Sequence, residues 1–184
     1  MPADFQKSLK RYQNNYPGEK PLVDLFRSLL NLPDAFYRTC RPGHFTASAL
    51  ILNPERTHLL LVEHRKLGIW VQPGGHADGE VHLEGVARRE VEEETGVSEV
   101  KSAPGILDLD IHAIPARKDE GAHDHYDVRF LFTADPAHPL RISHESTDLK
   151  WLPVKNLGDY TREESMFRML RKAGALSSQA ASTL

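Results

Sequence analysis

The chain has 184 residues, 40% hydrophobic and 27% charged, which is the make-up of a globular protein long enough for one domain with an appendage. Its net charge of −3 supplies no broad basic field, so no nucleic-acid partner is expected. A single cysteine, Cys40, excludes an internal disulfide framework and gives no sign of an oxidising compartment.

The opening stretch, "MPADFQKSLKRYQ", lacks the apolar run of a signal peptide, and no apolar stretch approaches the length that spans a membrane. A cytoplasmic location without membrane association is therefore expected. Residues 4–37 read as helical, with Leu22, Leu25, Phe26, Leu29 and Leu30 on one apolar face, and "LPD" at Leu32–Asp34 interrupts the run. "FTASALIL" from Phe45 and "HLLLVEHR" (His58–Arg65) predict two strands joined by the turn "NPERT". "WVQPGG" predicts a turn, because Pro73 and two glycines disfavour a regular element. A helix follows from about Val81 to Thr95, capped by Gly96. "GILDLDIHAI" and "YDVRFLFTA" alternate as strands around a polar loop, "PARKDEGAHDH". "DLKWLPV" is a short strand, Thr161–Lys172 a last helix, and residues 173–184 a flexible tail. Residues 1–44 form a helical extension packing on a main domain at 45–172, and the order of elements predicts an α/β or α+β sandwich.

The helix raises a question of charge. Four glutamates (Glu90, Glu92, Glu93 and Glu94) fall within five positions, where like charges three or four apart repel. On a wheel of about 100° per residue, Leu83, Val86, Ala87 and Val91 form an apolar stripe, and Glu84, Arg88, Arg89 and Glu92 lie opposite. Glu90, Glu93 and Glu94 continue the apolar stripe, so their carboxylates are predicted to look inward. A desolvated carboxylate needs a cation. A solvated acidic face balanced by Arg88 and Arg89 accounts for Glu92 and poorly for the other three. A buried arginine network or a hard divalent cation such as Mg²⁺, which takes oxygen ligands, accounts for them better.

"REVEEETGV", from Arg89 to Val97, with Gly75 fourteen positions before Arg89, resembles the signature of the Nudix hydrolases. "WVQPGG" before it and "WLPVKNL" near the end are similar to the same family. One position departs: Val81 stands where the pattern has glutamate, and Glu80 sits one place early, which puts a Glu80–Arg89 pairing in doubt. The resemblance implies a Nudix-type α/β/α sandwich with a mixed central sheet and a hydrolase acting on the diphosphate linkage of a nucleoside diphosphate derivative or nucleotide. It implies Mg²⁺ or Mn²⁺ as cofactor, held by Glu90, Glu93 and Glu94 with the carbonyl of Gly74. Arg89 is implied to orient the loop through an ion pair. The proton of the attacking water goes to Glu93, inside the motif, or to Glu145 in "SHESTD", outside it.

Ten histidines are many for this length. "HDHYD" places His123, His125 and Asp127 at alternating positions, and His76 and His82 flank the motif loop. Such a set suits a transition metal, contact with substrate phosphates, or no more than a hydrogen-bonded strand entry. Arg65, His76, His123, His125 and Asp127 are the substrate-binding candidates, and Trp70 and Tyr126 are candidates for base stacking or for core. Two alternatives stand beside the hydrolase: a Nudix-fold module that binds a nucleotide without turnover, and an isomerase of the isopentenyl diphosphate type. The intact motif argues against the first. The second calls for a reactive cysteine, and Cys40 lies in an unpromising context. The small-molecule partner is a nucleotide, and residues 1–44 are free to cap the sandwich, close the pocket or form a homodimer contact.

Overall fold

The structure, a computed structural model, describes residues 3–116 and 121–177. The middle of the polar loop expected at 115–125 and residues 178–184 of the expected tail therefore lie outside the described residues. Helices α1 (Ala3–Asn15) and α2 (Lys20–Leu30) precede strands β1 (Gly43–Leu52), β2 (His58–His64), β3 (Ile69–Val71) and β4 (Gly74–His76). Helix α3 (Leu83–Thr95) follows, then β5 (Lys101–Ser102), β6 (Asp108–Ile114), β7 (His123–Thr133), β8 (Ser146–Pro153) and helix α4 (Glu164–Lys172). The strands form one sheet in the order β3-β2-β1-β7-β5, with β4 on β1, β6 on β7 and β8 on β2. Among the described residues no helix is long and apolar enough to cross a membrane.

By internal contacts the chain divides into two compact units, and β1, α3 and β7 each contribute to both. The first holds Met1–Ser48, Gly74–Ala87 and Pro104–Phe130. Its core is aromatic: Phe5 meets Phe45 edge-on with ring centres 5.3 Å apart, and Phe26 meets Tyr126 in the same way at 5.3 Å. Helix α1 buries Phe5, Leu9 and Tyr12, spaced for one face. Tyr12 donates its hydroxyl hydrogen bond to Glu19 and accepts one from the Leu109 N–H of β6 at 3.3 Å. Helix α2 buries Val23, Phe26, Leu29 and Leu30. Leu25, expected on that face, is 50% exposed instead, because it sits about 200° from Val23 around the wheel.

Two expectations about strands need correction. Gly74–His76 is not a plain turn but a short strand, with Ser48 opposite Gly74 and Thr46 opposite His76. Glycine permits this approach, since a Cβ at 74 would lie 2.4 Å from the Cβ of Ser48. Strand β7 also begins earlier than "YDVRFLFTA", so His123 and His125 belong to a strand, opposite Ile114 and His112 of β6.

Between β1, β6 and β7 of this unit lies a buried charge network. Arg129, 4% exposed, donates to Asp127 at 2.8 Å and Asp110 at 3.0 Å and lies 3.4 Å from Asp108. Asp127 also accepts hydrogen bonds from Thr46 at 3.1 Å and Ser48 at 2.7 Å. A guanidinium suits the place because its planar fork serves several carboxylates at once.

The second unit holds Ala49–Pro73, Arg88–Ala103 and Leu131–Leu184. Strand β2 pairs along its length with β8, from His58 opposite Pro153 to His64 opposite Ser146. Leu59, Leu60, Leu61, Leu152, Met169 and Leu170 are buried in this unit. Helix α4 begins at Glu164 rather than Thr161 and is followed by a turn in which Ala173 receives a 2.6 Å hydrogen bond from Arg56.

Removing one partner of a buried network leaves the others charged and unmatched. Replacing Arg129 by Met is expected to cost about 3–5 kcal/mol in equilibrium chemical denaturation. Lys7→Met, which removes an exposed pair with Asp4, serves as the control and should leave the midpoint unchanged.

Candidate active site

Helix α3 opens on His82, whose Nδ1 accepts the Gly85 N–H at 3.2 Å and so satisfies one of the first-turn donors. It closes on Gly96, at φ +78°, whose N–H reaches the Glu92 carbonyl at 2.9 Å. Leu83, Val86, Ala87 and Val91 are buried, as the wheel predicts. The face expected to be wet is less uniform. Arg88 lays its guanidinium over the Phe132 ring, 5.2 Å from its centre, and donates to the Val100 carbonyl at 2.9 Å.

The glutamates divide by depth. The Glu90 side chain is 15% exposed and Glu94 is half-buried, but the Glu93 side chain is 61% exposed, so the expectation of three inward carboxylates is corrected to one deep, one intermediate and one facing water. Arg89 is not remote from them: it pairs with Glu90 at 3.0 Å and approaches Glu93 at 3.8 Å. Residues four apart are surface neighbours on a helix, and this outweighs the angular separation drawn on the wheel. Burial holds the Glu90 carboxyl above the usual glutamate range. Arg89 opposes that shift, and the charges of Glu93 and Glu145 add to it.

Glu145 lies just before β8, and its loop is clamped by Arg65. The Arg65 N–H donates to the Glu145 carbonyl at 2.8 Å, and the guanidinium donates to the carbonyls of His144 at 2.9 Å and Ser146 at 2.7 Å. Two of the guanidinium nitrogens are thus committed to the chain itself. The Glu145 carboxylate is 62% exposed, with His144 at 3.7 Å. Trp70, a candidate for base stacking, has the Lys150 ammonium 4.6 Å above its ring and Tyr160 edge-on at 5.5 Å. Tyr126 packs against Phe26. Cys40 is fully buried, and burial with the nearby Asp34 pushes its thiol up to about 11, which makes it unreactive at neutral pH.

The other candidates fall in the first unit. Gly74, named for its carbonyl, sits in β4 against Ser48, and Asp127 is spent on Thr46, Ser48 and Arg129. His123 and His125 bring their Nε2 atoms to 3.2 Å, and His76 places its ring centre 5.0 Å from that of His125. Sequence reasoning missed His44, whose ring is 4.9 Å from those of both His123 and His125. Its only signal was a histidine at the entry of a buried strand. Burial pulls His44 down to about 4 and His125 to about 2, reinforced by the neighbouring imidazoles, so both are uncharged at neutral pH. His112, at 5.3 Å from His125, has an Asp110 carboxylate oxygen 3.6 Å from its Nδ1.

No curated protein matches the sequence significantly. The structure is similar to that of a C. elegans Ap4A hydrolase, at 19% identity over 71% of this chain and 95% of that one, with a TM-score of 0.58. It is also similar to the E. coli dihydroneopterin triphosphate pyrophosphohydrolase, at 16% identity over 71% and 94%, with a TM-score of 0.57. The NUDIX domain of Shewanella oneidensis NrtR, solved with ADP ribose, matches at 22% identity over 80% and 95%, with a TM-score of 0.51. At these identities the likeness speaks for the fold, a mixed sheet with helices in the Nudix manner. The family profile of the NUDIX domain matches residues 42–173, which take in the whole of "REVEEETGV" and most of the chain, and the protein therefore belongs to the NUDIX family.

Proposed function

We propose that this Nudix enzyme, a pyrophosphohydrolase, cleaves the diphosphate linkage of a nucleoside diphosphate derivative or nucleotide, with Mg²⁺ or Mn²⁺ held by carboxylates of α3. The observation that carries this reading is Glu90, a carboxylate only 15% exposed, beside the charges of Glu93 and Glu145, with one arginine as its ion-pair partner. A set made of carboxylate oxygens suits a hard divalent cation. The names of the structural neighbours point the same way: a dinucleoside polyphosphate, a pterin triphosphate and ADP ribose all contain a phosphoanhydride.

A divalent cation held by these groups supplies Lewis-acid charge to the diphosphate and acidifies water. The chain's own residues do the rest. Glu90 and Glu94 are the anchoring ligands, and Arg89 fixes the Glu90 carboxylate from the side. The proton of the attacking water passes to the carboxylate of Glu145, which is more than half exposed and has no arginine among its described ion pairs. Glu93, with the Arg89 guanidinium 3.8 Å away, is the alternative base inside the motif. Arg65 acts as a positioning residue for the Glu145 loop.

Thermal unfolding with and without Mg²⁺ separates these roles from turnover. At about 100 times the dissociation constant the ion should stabilise the wild type by about 2.7 kcal/mol. Glu94→Gln and Glu90→Gln should each lose most of that gain and lower Mg²⁺-dependent nucleotide release by orders of magnitude. Glu93→Gln should also cut turnover by orders of magnitude, as a ligand substitution, with part of the Mg²⁺ gain lost. Glu145→Gln should keep the Mg²⁺ gain and lose about 10²–10⁴ in kcat. Wild-type turnover in Glu145→Gln would move the base to Glu93. Wild-type turnover in Glu94→Gln would remove the metal site from α3.

A second expectation concerns the metal-free protein. Because the folded-state Glu90 carboxyl is held high, the stability it contributes is present below the ordinary glutamate range and is lost as pH rises through the raised value. Glu90→Gln should therefore leave the metal-free unfolding midpoint at pH 7 unchanged or higher. A panel of nucleoside diphosphate sugars, dinucleoside polyphosphates and nucleoside triphosphates, followed by release of phosphate or nucleotide, identifies the substrate. Saturable binding of a panel member with no release would favour the non-catalytic module.

A further inference from the structure

We propose that His44, His123 and His125 form a binding site for one Zn²⁺ ion, with water completing the coordination. Their candidate ligand atoms all lie within 4.8 Å of one another, and the three residues are buried, buried and half-buried. The two Nε2 atoms of His123 and His125 stand 3.2 Å apart. Tetrahedral zinc with Zn–N bonds of about 2.0–2.1 Å sets its imidazole nitrogens about 3.3 Å apart. The pair on β7 already has the spacing of two ligands on one ion.

The surroundings agree with this. His123 directs its other nitrogen, Nδ1, at the Gly121 carbonyl at 2.9 Å, and such an outer hydrogen bond fixes the tautomer that leaves the Nε2 lone pair for a metal. The donor set is all nitrogen. Asp127, two residues along β7, is already taken by Thr46, Ser48 and Arg129. Imidazole nitrogens without a carboxylate suit zinc and disfavour magnesium. The site thus goes beyond the oxygen chemistry of α3 and does not depend on it.

The competing account is a direct hydrogen bond from one imidazole to the other. It satisfies one nitrogen each of His123 and His125 and does nothing for His44. His44 is 0% exposed, and both its ring nitrogens are buried without a hydrogen bond. The Cys40 carbonyl, the backbone acceptor beside the ring, does not meet hydrogen-bond geometry. Buried polar atoms are nearly always matched. A metal ion accounts for one of the two nitrogens of His44 and explains why three imidazoles are gathered in an interior.

The test uses the full chain, stripped with a chelator and titrated with Zn²⁺ by calorimetry in millimolar Mg²⁺, which occupies oxygen sites. One equivalent of Zn²⁺ should bind, and Co²⁺ in its place should give the intense visible absorption of a four-coordinate ion. His123→Asn and His125→Asn should weaken binding by more than the roughly 10–100-fold that loss of an outer partner costs. His138→Asn, outside the cluster, should leave it unchanged. Binding below one equivalent, competition by Mg²⁺, a weak six-coordinate Co²⁺ spectrum, or unaltered affinity in His125→Asn would each overturn the assignment. Should His44→Asn fail to fold, His125→Asn and the wild-type Co²⁺ spectrum decide the matter.

Discussion

The interaction on which the first unit depends is the match between one buried guanidinium and three carboxylates. Arg129 reaches across from β7 to Asp108 and Asp110 of β6, and Asp127 carries the same charge system to Thr46 and Ser48 of β1. These contacts constrain register as well as stability. A slip of one residue would send Arg129 and Asp127 to the opposite face of β7 and leave every partner unpaired. The same β6–β7 register brings His112 opposite His125, so the placing of those two imidazoles follows from it.

Helix α3 meets the problem of buried charge in a different way. It does not bury all its glutamates. Glu93 stays in water, Glu94 is intermediate, and Glu90 alone is taken deep, where Arg89 offsets part of its desolvation. The remaining imbalance appears as a raised carboxyl, and Glu145 adds to it from a loop that Arg65 fastens through three carbonyls. A divalent cation, which takes carboxylate oxygens, is the charge that the proposed function would add there.

Much of this was legible in the sequence, and the reason differs from place to place. The apolar stripe of α3 and its glycine cap follow from local geometry, which a helix wheel captures. The depth of Glu93 does not, because the wheel gives direction and not the distance to the nearest neighbour. Leu25 lies nearly opposite Val23 on the helix, Val23 takes the buried side, and only packing decides between the two. Pro73 followed by two glycines predicts a turn, since glycine next to proline usually is one, yet Gly74–His76 is a strand. Here the missing Cβ is what lets the segment lie against β1. Arg65 is a substrate-binding candidate by sequence, and its carbonyl partners lie some 80 residues away, where no local rule reaches. His44 was invisible for the same reason: a lone histidine in a buried strand has no meaning until β7 lies near it.

The two donor sets are divided according to what each can tolerate on leaving water. An ionised carboxylate is costly to bury, so the proposed oxygen set keeps Glu93 more than half exposed, Glu94 half-buried, and only Glu90 deep. That exposure also suits a cation such as Mg²⁺, which gives up its hydration shell reluctantly and retains waters beside a phosphate. An imidazole tolerates burial better than a carboxylate because it can be neutral, and His44 and His123 both sit in the interior. Burial that would ruin an oxygen site for magnesium suits a nitrogen site for zinc, because it excludes competing water. In the two proposed sites, discrimination between the ions would rest on depth as well as on ligand type, and depth is set by which strand or helix face carries each residue.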